Sequence, residues 1–181
     1  MHIIKHFITI TKHRHIVIKL CFKLGIPFRG LLHDLSKYSF EEFIPGAKYY
    51  QGNKSPNVVE REFNSYSKAW MHHKGRNKHH FEYWIDINLS TGVYEPVKMP
   101  LVYLKEMFAD RVAATKVYRK KEYHPSDVLD YYLSREKHLN MHKDTQETLK
   151  KWLEMFKNKG EKETFKYVKK YKEEDYGKSC S

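Results

Sequence analysis

The chain has 181 residues, enough for one domain with a core of its own. Apolar residues make up 40% and aromatics 15%, which excludes wholesale disorder. Lys and Arg outnumber Asp and Glu by 34 to 22, a net charge of +12, which points to anionic partners: nucleic acid, nucleotides or a membrane surface.

The predicted elements are mostly helices, punctuated by glycine and proline. The first spans residues 11–24, with Thr11 as its cap and Gly25 as its stop. FITIT, residues 7–11, also has strand character. Pro27 opens a short second helix that carries HDLSK, residues 33–37. Ser39, Glu41 and Glu42 start a third, EEFIPGAKYYQ, bent at Pro45. GNKSP, residues 52–56, is a loop. A fourth helix covers 57–73 and breaks at Gly75; a fifth covers 79–87. Residues 88–99 form a loop or small hairpin. Pro100 opens a long helix to Tyr118, and Pro125 opens a shorter one, PSDVLDYYLSRE. Asp144 caps a helix that Gly160 ends. ETFKYVKKYKEE is a last amphipathic helix that fades into the tail DYGKSCS. The fold expected is all-α: residues 1–140 as one helical domain, and 141–181 as a helical appendage packed on it or used as an oligomer contact.

Two cysteines exclude a disulfide framework and a thiolate zinc site. Cys21 lies in an apolar run and Cys180 in the polar tail, and both read as ordinary thiols. No run of about 18 apolar residues is present. The first residues lack a long apolar stretch followed by a small-residue cleavage site. A cytoplasmic protein without a membrane partner is therefore expected.

Twelve histidines are the other compositional oddity. Imidazoles and carboxylates together are the ligand set of zinc, iron, manganese and nickel. His13 shares its helical face with Ile10, Ile16, Val17, Leu20 and Leu24 and points inward, whereas His15 points outward with Lys12 and Lys19. A core histidine bonded to backbone is the competing reading. His33 and Asp34, if helical, diverge by about 100°, yet each can reach one metal or two neighbouring metals in a shared cleft. Gly30 and Ser36 are small and leave room there; Lys37 can neutralise a phosphate. His73 falls on the face of Tyr66, Ala69 and Trp70 and points inward, with His72 outward. Position does not separate His79 from His80, and a solvated basic loop is the alternative for all four. Asp110 lies among Glu106, Met107, Ala113 and Ala114, where a carboxylate is costly unless paired with a cation or bound to metal. Glu106 suits a hydrogen-bond acceptor for a ligand histidine.

Charge clusters around these positions. Residues 12–37 carry six basic and one acidic residue, and residues 46–80 carry seven and two. Residues 143–181 carry eleven and eight. Lys37, Arg76 and Lys78 are the expected phosphate contacts, and Asn77 an expected hydrogen-bond donor to a sugar or phosphate oxygen.

The ordered set His13, His33-Asp34, His73, His79 or His80, and Asp110 resembles the HD-domain metal-dependent hydrolases. HDLSK looks like the HDxGK stretch of the HD-type cyclic-dinucleotide phosphodiesterases, with Ser36 in place of the glycine. Their HHE and GYP elements are absent, so that substrate is not implied. HKGRNKHHFEYW, and residues 9–120 as a whole, resemble a small bacterial and phage group within the superfamily. The resemblance implies an HD-domain-like helical bundle with a site for two divalent transition-metal ions, Mn, Fe, Ni or Zn, and with Asp34 bridging them. It implies water attack on a nucleotide or related phosphate ester, with Asp34 and Lys37 catalytic. Some members with six ligands are instead di-iron oxygenases that cleave C–C or C–P bonds. A non-enzymatic reading uses the +12 charge and fourteen tyrosines to bind nucleic acid.

Overall fold

The computed structural model describes residues 1–177; the expectation for Cys180 lies outside them. Helix accounts for 69% of the structure and strand for 5%. The all-α expectation holds, with one small hairpin added.

The first helix, α1 (Ile3–Lys23), starts well ahead of Thr11. The strand preference of FITIT yields to burial of one helical face: His6, Ile10, His13, Val17 and Leu20 recur at helical spacing and face inward. Next comes α2 (Pro27–Leu32), which lies flat on α1. Gly30 permits this: a Cβ there would sit 2.7 Å from Cys21 Cβ and 3.1 Å from the Ile18 Cα. Gly30 thus makes room for α1 and not for a ligand. Gly30→Ala is expected to push the two helices apart and cost roughly 1–3 kcal/mol, read as a lower Tm.

HDLSK is not helical, contrary to expectation. α2 stops at Leu32, Asp34 adopts a left-handed conformation (φ 54°), and Leu35–Tyr38 form a 3₁₀ turn. A continuous helix would splay His33 and Asp34; with the left-handed turn both side chains are buried side by side, His33 Nε2 3.2 Å from Asp34 Oδ2.

The third helix, α3 (Phe40–Lys48), contains Pro45 and buries Glu42, Gly46 and Ala47. His6 packs over Gly46, where a Cβ would overlap its ring, and beside Phe43 and Tyr50. Burial, assisted by the Lys37 charge, pushes the His6 pKa from 6.5 down to about 4. A histidine depressed on folding stabilises the native state above pH 6.5, and that contribution is lost as pH falls toward 4. In chelator, His6→Leu is expected to flatten the parent's loss of Tm across this window.

The single helix expected over 57–73 is two: α4 (Pro56–Asn64) and α5 (Lys68–Lys74). Ser65 turns left-handed (φ 65°) and ends α4. Ser67 starts α5 by accepting from Trp70 N at 2.9 Å, while its hydroxyl donates to buried Glu60. The helix expected over 79–87 is absent. A 3₁₀ turn at Phe81–Tyr83 leads into β1 (Ile85–Asn88), which pairs antiparallel with β2 (Val93–Pro96), Ile85 opposite Pro96.

The central helix is α6 (Leu101–Arg119). Leu104, Phe108 and Val112 are fully buried in the core, and Glu106 and Asp110 lie on its other side toward α1 and α2. Two helices follow, α7 (Ser126–Leu133) and α8 (Lys143–Lys170). His142 caps α8, accepting from Asp144 N at 3.2 Å, so Asp144 is not the cap. Gly160 (φ 75°, ψ 177°) is non-helical and divides α8 into two helical halves, so the break expected there is present. Trp152, Leu153, Phe156, Phe165 and Val168 join the same core as Val17 and Phe108. Glu161 ties α8 to Lys23 of α1 and Lys116 of α6. Residues 141–177 thus pack into the same core as residues 1–140.

Candidate metal centre

Each element delivers a few side chains to one buried place. α1 supplies His13, and the left-handed turn supplies His33 and Asp34. His73 comes from the last turn of α5, and the following loop brings His79 and His80. α6 contributes Asp110 and, one turn earlier, Glu106. All seven candidate ligands meet in two groups that share Asp34, and each group has the donors to hold a metal ion.

The first group is His13, His33, Asp34 and Asp110. His13 Nε2 lies 3.0 Å from Asp110 Oδ1 and 3.6 Å from Asp34 Oδ2. His33 Nε2 lies 3.2 Å from Asp34 Oδ2, 3.6 Å from Asp110 Oδ1 and 3.4 Å from His13 Nε2. The second group is Asp34, His73, His79 and His80. His73 Nε2 and His79 Nε2 lie 3.3 and 3.4 Å from Asp34 Oδ1. One carboxylate thus turns Oδ2 to the first group and Oδ1 to the second. The sequence left His79 and His80 undivided, and the structure brings both in, their rings 4.1 Å apart.

Hydrogen bonds behind the rings fix their tautomers. Glu106 is fully buried, and its Oε1 accepts from His33 Nδ1 at 3.0 Å and from His79 Nδ1 at 3.3 Å. Arg29 Nε donates to its other oxygen at 2.7 Å. Burial raises the Glu106 pKa, but His33 and His79 outweigh it and hold the carboxyl at about 2. Glu42 accepts from His73 Nδ1 and from His72 Nδ1, both at 2.7 Å. Each Nδ1 is therefore a donor, and in the neutral ring Nε2 of His33, His73 and His79 presents a lone pair; burial lowers the His33 and His73 pKa values, but Asp34 outweighs it and raises both.

Those lone pairs face acceptors. Asp34 Oδ1 and the Nε2 atoms of His73, His79 and His80 are buried without a hydrogen-bond partner. Acceptors crowded at 3.3–3.4 Å repel unless a cation lies between them. The donor set therefore fits a metal ion on this structure's own geometry. Burial, then the neighbouring imidazoles, pushes the His79 and His80 pKa values down, which keeps these rings in the neutral, ligating form. Burial pushes the Asp34 and Asp110 carboxyls up; His33, Lys37 and His73 oppose this at Asp34, and His13 and His33 at Asp110, so both stay well below the ordinary range.

The other predicted residues divide. Lys37 Nζ donates to Asp34 Oδ2 at 2.5 Å. Burial works against its charge, and Asp34 and Asp110 more than offset it, so its pKa is raised. Asn77 is buried behind His73, donating to Ser36 Oγ and His73 O at 2.8 Å, and so positions the ligand loop instead of facing a substrate. Arg76 is exposed and turns back to His72 O at 3.4 Å. Lys78 lies over the rings of Tyr83 and Tyr103, away from Asp34. Lys37 is the one expected phosphate contact beside the cluster.

The sequence reading missed Glu42 and Arg14. Glu42 looked like a helix N-terminal charge, and its partners lie 30 and 31 residues away. Arg14 donates to His33 O at 3.2 Å and to Leu31 O at 2.5 Å, holding the end of α2 where the His-Asp turn begins. Its neighbour His13 was the only local signal.

A family model described as a family of unknown function, DUF5662, matches residues 2–155. The chain belongs to DUF5662. The match spans both ligand groups, Glu42 and Glu106, and ends inside α8. No curated protein and no solved structure matches the chain.

Proposed function

We propose that this DUF5662 chain is a metal-dependent phosphohydrolase of the HD-domain kind, acting on a nucleotide or related phosphate ester. The observation that carries the reading is the pair of ligand groups sharing Asp34, with the Lys37 ammonium on the shared carboxylate. His13, His33, Asp34 and Asp110 would hold one divalent transition ion, and Asp34, His73, His79 and His80 a second. Mn, Fe, Ni and Zn all suit such donors. Bound cations of this kind supply Lewis acidity, which acidifies water and offsets phosphoryl charge.

The chain's own residues do the rest. Glu106 and Glu42 hold the imidazoles in ligating tautomers. Asp110 and Lys37 are the more open members of the cluster, with side chains 16% and 28% exposed, so an anionic group approaches from their side. Lys37 meets a phosphoryl oxygen there and screens it from Asp34.

Metal analysis of the purified protein, followed by a screen of phosphomonoesters, cyclic nucleotides and nucleoside triphosphates with Mn²⁺, Ni²⁺ or Fe²⁺, tests the reading. Turnover is expected that Lys37→Met lowers by about 100-fold or more with metal content retained. A loaded protein that hydrolyses none of these classes, or that takes up no metal, overturns it. Five imidazoles among seven donors also favour a second reading, a di-iron oxygenase. An iron pair with a mixed-valence EPR signal and no phosphate release would select it.

A further inference from the structure

α1 buries one face and exposes a second that is also apolar. Opposite the buried His13 and Val17, the side chains of Ile4, Phe7, Ile8 and Phe22 are 75%, 48%, 58% and 55% exposed. At about 100° per residue these four fall on one side of the helix, Ile4, Phe7 and Ile8 together in its first turns and Phe22 near its end, with Thr11, His15 and Ile18 between them. Lys5, Lys12 and Lys19, all exposed, repeat along one edge of it. On the other edge Phe7 meets Tyr38 of the 3₁₀ turn, ring to ring at 6.0 Å. Phe28 and Leu32 of α2 and Leu35 of the 3₁₀ turn are also exposed, at 78%, 58% and 48%. An exposed apolar patch of such extent marks an interaction site.

Charge selects the occupant. Residues 1–40 include seven Lys and Arg but one acidic residue, Asp34, which is buried in the metal centre. Lys23, Arg29 and Lys37 pair with Glu161, Glu106 and Asp34, whereas Lys5, Lys12 and Lys19 have no carboxylate among the described residues. A second copy laid on this stripe would bring two lysine rows together with no carboxylate between them. Nucleic acid would satisfy the lysines and leave isoleucine and phenylalanine in water. A bilayer with anionic headgroups satisfies both: apolar side chains enter the headgroup boundary, and lysines meet lipid phosphates. We propose that this face docks the protein onto membrane surfaces that contain anionic lipid, with α1 in the plane of the surface. The proposal replaces the expectation of no membrane partner and does not depend on the metal-centre reading.

Vesicle flotation of the full chain tests it, comparing phosphatidylcholine with a mixture containing about 30% phosphatidylglycerol. Binding is expected to the mixed vesicles, weakened by high salt. Ile4→Ser with Ile8→Ser, and separately Lys12→Glu with Lys19→Glu, should each weaken it by about tenfold or more. These side chains are exposed, so the variants should keep the parent's Tm. Lys166→Glu, an exposed charge elsewhere, should leave binding within about twofold. Absence of binding to both vesicles overturns the proposal. So does binding that Ile4→Ser with Ile8→Ser leaves unchanged, or a solution dimer that this variant converts to monomer.

Discussion

Asp34→Ala is expected to abolish metal retention by both ligand groups at once. The two groups share this residue and no other, with Oδ2 facing one and Oδ1 the other. The loss should exceed the ~10–100-fold typical of residues that only orient ligands. The metal-free variant should also be less stable. Asp34 pairs with Lys37, and removing the carboxylate from this half-buried ammonium costs about 1–3 kcal/mol. Alanine also tolerates φ 54° less well than aspartate. Asp34→Asn separates the effects, since asparagine accepts the left-handed turn but lacks the charge. Metal content after dialysis and Tm in chelator check both variants. A variant retaining half the parent's metal would refute the shared role.

Glu106→Gln should produce the second largest effect without touching a ligand. Glu106 orients His33 and His79 through one oxygen and Arg29 through the other. Glutamine offers one acceptor and one donor in place of two acceptors. Either its amide faces Arg29, donor to donor, or it faces the Nδ1 atoms and drives the imidazoles to the wrong tautomer. Metal affinity should fall by about 10–100-fold. In chelator, a half-buried Arg29 left without its carboxylate should cost about 1–3 kcal/mol, and Arg29→Met in the same chain should recover part of it. Isothermal titration and paired thermal melts read the two effects separately. Equal Tm values for the single and double variants would show that Arg29 and Glu106 are not coupled.

Long, strongly periodic segments were legible in the sequence. The inward stripe of α1 follows from His13, Val17 and Leu20 at helical spacing, and α6 from Pro100 and the apolar run after it. The inward positions of His13, His73 and Asp110 follow from the same rule. Periodicity assumes that a helix continues, however, and it failed wherever a turn intervened. Asp34 and Ser65 adopt left-handed conformations that their residue types permit without requiring. The stretch 79–87 has enough aromatic residues for a helix, but His80 is extended and the chain turns into a hairpin.

By itself, then, the sequence determined a mostly helical chain with side chains that could hold a metal ion on named inward faces, because burial at a fixed helical period is a local property. Only the tertiary structure decided that His79 and His80 both enter, that Asp34 faces two groups, and that Glu42 serves imidazoles and Arg29 a carboxylate far along the chain. Those relations join residues that share no helix, so no spacing rule connects them. They arise from the cost of leaving a buried charge or lone pair unmatched, which is settled only when the core closes.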